Sequence, residues 1–160
     1  MIEVVLLVVL GCLYGNFMEW FLHKYILHGL GQKPKSKFSF HWLQHHRLVR
    51  IKKYRDPSYD RDSLFAWNPR TQEIAWLGVV AALHAPVFWL APVFGVTTLL
   101  WTVFYYLVHF ISHKRPAIGK KYFRHHYEHH MGEDQEKNFC VTFPLMDYVF
   151  GTRQKYPDLK

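Results

Sequence analysis

Charged and charge-free stretches alternate along the chain and set its architecture before any motif is considered. Residues 2–22, IEVVLLVVLGCLYGNFMEWFL, carry no charge besides Glu3 and Glu19. That length suits one membrane-spanning helix, for which about 20 residues are needed. From Ile74 to Ser112 there is no Asp, Glu, Lys or Arg. As one helix this stretch would extend roughly 58 Å, nearly twice the bilayer core, so it must fold back. Pro86, Pro92 and Gly95 in HAPVFWLAPVFG interrupt helical hydrogen bonding and supply the turn. The pattern predicts three spans, at about 2–22, 74–90 and 93–112. The segments between and after them, 23–72 and 113–160, are polar with interleaved aromatics and predict helices and loops at the interface. Trp20, Trp42, Trp67 and Trp76 suit the headgroup level.

Charge orients these spans. All 20 Lys and Arg fall in two blocks, Lys24–Arg70 and Lys114–Lys160, and none lies in residues 1–23 or 71–113. Three spans place both blocks on one side, and the positive-inside rule makes that side cytoplasmic, with the N-terminus outside. The first run has no basic n-region and no small-residue cleavage site, so it reads as a retained anchor rather than a signal peptide. The expected fold is an all-α integral membrane protein: a single domain over 1–160 with three transmembrane helices and a cytoplasmic helical cap formed by 23–72 and 113–160. A net charge of +8 is accounted for by topology and by attraction to anionic headgroups, so no nucleic-acid partner is expected. Cys12 and Cys140 lie far apart and predict no disulfide.

The candidate chemistry is imidazole. Eleven of the 12 histidines fall into four clusters: HKYILH (His23, His28), HWLQHH (His41, His45, His46), HFISH (His109, His113) and HHYEHH (His125, His126, His129, His130). The three spans deliver all four clusters to one face of the bilayer. His109 and His113 are four apart, so their rings share one side of a helix, and His41 with His45 and His126 with His130 repeat the relation. His23 and His28 are five apart, about 140° around an ideal α-helix, and converge only if the helix stops near His28, where GLG follows. A single such pair is an ordinary surface or packing feature; four at one depth are not. His84 stands alone in an apolar leg and is expected to be a packing or hydrogen-bonding residue. Neutral imidazole suits Zn, Cu, Fe and Ni. Ten rings exceed one tetrahedral site and match two neighbouring ions with about four or five nitrogens each.

The order HX4H, HX3HH, HX3H, HX2HH resembles the fatty acid hydroxylase/sterol desaturase superfamily of integral-membrane di-iron oxidases, and NFCVTFPLMDYVFGT (138–152) is similar to the stretch after the last histidine box there. The resemblance covers about Glu19 to Arg153. It implies two Fe ions, with Zn as a substitute in purified protein, and the ligands His23, His28, His41, His45, His46, His109, His113, His126, His129 and His130. His126 is preferred over His125 as the first ligand of its box, leaving His125 outside the ligand set. Metal-bound histidines usually donate their other N–H to a carboxylate or carbonyl. Glu19, one turn before His23, and Glu128, between His126 and His129, are the candidates for that role, while Asp147 is expected to anchor the tail. The resemblance also implies O2, a membrane lipid substrate and a separate electron donor, whether cytochrome, ferredoxin or reductase, in a bacterial inner membrane or the endoplasmic reticulum. A lipid hydroxylase is the expected activity. A carotenoid ring hydroxylase and a lipid desaturase are the neighbouring alternatives, and a non-catalytic membrane metal binder is the alternative of another class. The chain departs from the pattern in two places: three residues separate His41 from His45 where two are frequent, and three spans are predicted where four are usual.

Overall fold

A computed structural model describes residues 1–60 and 65–159, so positions 61–64 of the expected cap and Lys160 of the second basic block lie outside the described residues. All regular structure among the described residues is helical. Helix α1 (Ile2–Phe21) runs without a break into a π-helical segment, Leu22–Leu30. A second π-helical segment (Phe40–His46) leads into α2 (Arg47–Ile51). Then follow α3 (Pro69–Leu83), α4 (Ala85–Leu90), α5 (Pro92–Lys114), α6 (Pro116–Tyr122), α7 (Arg124–Met131) and α8 (Leu145–Val149).

Two helices are long and apolar enough to cross a bilayer, Ile2–Leu30 and Pro92–Lys114. They lie side by side and parallel, because α1 offers backbone rather than side chain to its neighbour. A Cβ added at Gly11 would stand 2.8 Å from Thr97 Cβ, and one at Gly15 2.4 Å from Trp101 Cγ. Small residues four apart are how helices approach closely in lipid, where no hydrophobic force drives them together. The opposite faces, Val4, Val5 and Leu6 on α1 and Val96, Leu100 and Val103 on α5, are exposed, as lipid contact requires.

The leg expected at 74–90 differs from a single span. It is two helices, α3 and α4, meeting at His84. Pro86 accounts for the break, since it has no N–H and its ring clashes with the carbonyl four residues back. Helix α3 starts at Pro69, five residues before the expected start at Ile74, behind a capping box: Asn68 Oδ1 accepts from the Thr71 N–H at 3.1 Å, and Thr71 Oγ1 accepts from the Asn68 N–H at 2.9 Å. The second turn falls where Pro92 opens α5.

At the cap end the interior is polar. His23, His28, His45, His46, His109, His113, His126, His129 and His130 are all buried, and α7 buries six consecutive residues, His125 to His130. A helix covered on every side is a core helix, and here the core it occupies is made of imidazole. The segment 138–142 crosses beneath it, fully covered. Asn138 takes a left-handed conformation (φ 60°), which Asn tolerates better than most residues.

Candidate metal centre

The two π-helical segments decide which rings meet. In a π-helix each N–H reaches the carbonyl five residues back, as Gly31 does to Ile26 O at 3.1 Å. Residues five apart therefore stack on one face. His23 and His28 converge because the helix widens, so the stop expected near His28 is not what aligns them. The second segment aligns His41 with His46 in the same way and turns His45 elsewhere, whereas α-helical spacing would have paired His41 with His45.

Nine of the ten predicted ligands fall into two groups. His23, His28, His41, His46 and His129 form one; His45, His109, His113 and His130 form the other. Within each, one ligand atom per residue lies within 4.8 Å of all the others. His126 adjoins the second group, with Nε2 3.1 Å from His113 Nε2. The groups abut, with the His46 and His130 ring centroids 4.3 Å apart. His125 belongs to neither; its Nε2 lies 3.0 Å from Val141 O. His84 is remote, donating from Nδ1 to Val80 O (2.7 Å) and accepting at Nε2 from the Tyr14 hydroxyl (2.8 Å).

Six of the rings have Nδ1 committed to an acceptor. In the first group His23 donates to Phe139 O (2.5 Å), His129 to Lys137 O (2.6 Å) and His28 to the Glu136 carboxylate (3.0 Å). In the second, His45 Nδ1 lies 2.6 Å from Asp56 Oδ2, His113 Nδ1 3.1 Å from Tyr54 O, and His109 Nδ1 2.9 Å from the Tyr59 hydroxyl, with Glu73 Oε1 2.6 Å away as an ion-pair neighbour. Tyr59 completes the His109 corner, donating to Glu73 Oε2 at 2.6 Å. With the proton on Nδ1, each Nε2 presents a lone pair inward.

Those lone pairs face one another. His28 Nε2 lies 3.2 Å from the Nε2 atoms of both His46 and His129, and those two are 3.3 Å apart; His23 and His41 meet at 2.9 Å. His28 and His129 have each given the Nδ1 proton to an oxygen, so neither can donate across their 3.2 Å contact, and shared hydrogen bonds cannot satisfy the whole set. A cation can. Nitrogens held about 2.1 Å from one ion stand roughly 3.0–3.4 Å apart for angles between 90° and 109°. In the second group the Nε2 atoms of His45 and His109 and both nitrogens of His130 are buried with no hydrogen-bond partner. Unpaired buried nitrogens of this kind call for a metal or a functional role. The donor set fits metal ions of the imidazole-preferring kind.

Burial also keeps these rings in the ligand form. Desolvation holds His41, His46, His126, His129 and His130 well below the usual histidine range, with neighbouring rings adding to the effect. His45 is lowered for the same reason although Asp56 opposes it. For Asp56, burial pushes the carboxyl up, but the His45 hydrogen bond and the Ser58 N–H together outweigh it and hold it below the usual range. The pair is neutral imidazole against carboxylate, as a metal ligand and its orienting partner should be.

The predicted partner residues do other work. Glu19 contacts no imidazole; its carboxylate accepts the Val141 and Thr142 N–H groups (both 3.1 Å), the Thr142 hydroxyl (2.9 Å) and Trp101 Nε1 (3.1 Å). It lies one turn before His23 but ties the 138–142 segment to α1, and so acts on His23 only through Phe139 O. Glu128 faces Arg124 (3.2 Å) and Arg153 (2.8 Å), away from both groups. Asp147 accepts the Phe139 and Cys140 N–H groups (2.8 and 2.9 Å) and the Thr152 hydroxyl (2.6 Å), which anchors the tail. The orienting carboxylates missed from sequence are Asp56, Glu73 and Glu136. Glu73 had a signal, standing as the last charge before the 74–112 stretch; Asp56 and Glu136 had none.

A cavity of about 300 Å³ opens from the first group into the membrane region. His23, His41 and Glu73 line one end, and Leu77, Val80, Phe88, Thr98 and Trp101 line it farther along. It has the apolar walls and few polar groups of a small-molecule site.

Comparison with known proteins agrees with this geometry. The fatty acid hydroxylase family model matches residues 8–152. The chain is 28% identical over 149 residues to mouse (Mus musculus) fatty acid 2-hydroxylase, covering 91% of this chain and 39% of that protein. It is 28% identical over 161 residues to Arabidopsis thaliana dihydroceramide fatty acyl 2-hydroxylase FAH1, covering 94% of this chain and 61% of that protein. The chain thus spans less than two thirds of the length of either relative. No solved structure matches.

Proposed function

Since the chain belongs to the fatty acid hydroxylase family, we propose that it is a membrane-bound lipid hydroxylase whose ten clustered histidines hold two iron ions. The observation that carries this reading is the inward-facing set of Nε2 lone pairs at the mouth of an apolar cavity. Bound there, the iron pair would supply the activation of O2 and the insertion of one oxygen atom into a C–H bond. The balance is one C–H bond, O2, two electrons and two protons, giving the alcohol and water. The electrons come from a separate donor protein, and the exposed basic cap suits an acidic partner.

The protein's own residues do the rest. His23, His28, His41, His46 and His129 hold one ion, and His45, His109, His113, His126 and His130 the other. Asp56, Glu73, Glu136 and the carbonyls of Tyr54, Lys137 and Phe139 keep the rings turned inward. Leu77, Trp76 and Trp101 line a dry passage that orients an acyl chain toward His23 and His41. The cap faces the cytoplasm, the N-terminus lies outside, and the α3–α4 leg completes the membrane region beside α1 and α5.

The test is whole-cell lipid mass spectrometry with and without the protein, alongside iron analysis of the purified chain. A lipid that gains one oxygen is the expected product. Loss of two hydrogens would identify a desaturase, and unaltered lipids with no O2 consumption under reducing conditions would leave a metal-binding protein without this activity.

A further inference from the structure

The end of the cavity away from the metal-site histidines carries one polar pair, Tyr14 and His84, among apolar side chains that include Leu83 and Phe88. Two separate elements measure how far away it is. Tyr14 precedes His23 by nine residues on one continuous helix, about 13 Å of axial rise. His84 follows Glu73, the partner of His109, by eleven residues along α3, about 16 Å. The pair is built as a fixed stop. The His84 imidazole is held from both sides, Nδ1–H on Val80 O and Nε2 on the Tyr14 hydroxyl. The Tyr14 ring is wedged between His84 and Phe94, with centroids 5.7 and 5.4 Å away. A polar pair at membrane depth must be satisfied internally, and this one is, so neither ring is free to swing aside.

We propose that Tyr14 and His84 are specificity-determining residues that fix the length of acyl chain lying beyond the oxidised carbon. This rests on the reading of the cavity as an acyl-chain site. Length and volume agree on the limit. An extended chain advances about 1.25 Å per carbon from bonds of about 1.5 Å, so 13–16 Å takes about ten to thirteen carbons. At roughly 30 Å³ per water-sized group, a cavity of about 300 Å³ takes about ten.

The experiment measures binding of saturated fatty acids of graded length to the full chain in lipid nanodiscs, and hydroxylated product in parallel. In the wild type, affinity should rise with each methylene and stop rising once about ten to thirteen carbons lie beyond the carbon held at the histidines. Tyr14→Ala and His84→Ala should move that break to longer chains, and Val80→Phe, one turn short of the pair, should move it to shorter ones. Tyr14→Phe keeps the ring and should leave the break where it is. Should an alanine variant fail to accumulate, Val80→Phe carries the test in the opposite direction. A break that is absent in the wild type, or unmoved by the folded variants, overturns the proposal and leaves the pair as a brace between α1 and α3. Because the readout is binding, a chain that makes no hydroxylated lipid but shows the shifted break would refute the hydroxylase reading and not the length limit.

Discussion

The two histidine groups are made of the same side chain and held by different means. Around His23, His28 and His129 the orienting acceptors are two backbone carbonyls of the tail and one half-exposed carboxylate, Glu136. Around His45 and His109 they are two buried carboxylates, Asp56 and Glu73. The first group depends on a loop being folded, the second on charges being buried. A carboxylate within hydrogen-bond distance makes an imidazole a stronger donor to a metal than a carbonyl does, and it adds negative charge beside the ion. The second group is therefore expected to bind more tightly and to favour the more highly charged state of its metal.

The largest effect that tests this contrast is removal of a ring from each side. His109→Ala and His129→Ala are each expected to abolish product, and metal analysis should find bound metal lowered in both, with the remaining ion in the opposite group. Full metal and equal turnover in both variants would end the ligand assignment. Next come the orienting carboxylates. Asp56→Asn and Glu73→Gln should each weaken metal retention about 10–100-fold in a chelator titration. Glu136→Gln, at a half-exposed side chain, should cost much less, and equal losses would erase the distinction between the groups.

A third test strikes the loop. Asp147→Ala removes the acceptor of the Phe139 and Cys140 N–H groups, and bonds to a charged acceptor are worth about 1.5–3 kcal/mol each. It should lower thermal stability and loosen metal from the group of His23, His28 and His129 first, leaving the other as it was. The smallest effect belongs to His125→Ala, which forfeits the contact with Val141 O, about 1 kcal/mol, and keeps both ions. His126→Ala should cost more in bound metal; the reverse order would show that the wrong ring of the pair had been chosen.

Legibility in the sequence was uneven, for identifiable reasons. Four histidine clusters beside charge-free stretches point to convergence because helix ends leaving a bilayer must emerge at a common level, and His109 with His113 follows α-helical spacing outright. The division into two groups was not legible, since it turns on the widened helices. Nothing in FHWLQHH distinguishes i→i+5 from i→i+4 bonding, and α-helical spacing pairs His41 with His45 rather than with His46. Glu19 stands close to His23 along the helix, yet Val141 and Thr142, whose N–H groups it accepts, sit more than 120 residues away. Asp56 and Glu136 are polar residues among many, visible only once the chain has folded over them. The break before Pro92 falls between 90 and 93, where the prolines and glycine place it, whereas the break at His84, ahead of Pro86, divides a leg that the charge-free pattern alone presents as continuous.

The widened segments make the site intolerant of a particular kind of change. A π-helical stretch holds one residue more than the α-helix it would relax into. Deleting a single position between His23 and His28, or between His41 and His46, would therefore let the helix tighten instead of shortening a loop. His23 and His28, or His41 and His46, would then stand four apart on an α-helix and keep one face, whereas tightening without a deletion would leave rings five apart about 140° from one another and take one from its partners. Winding and count are matched here, and a redesign that changes one without the other would separate the rings.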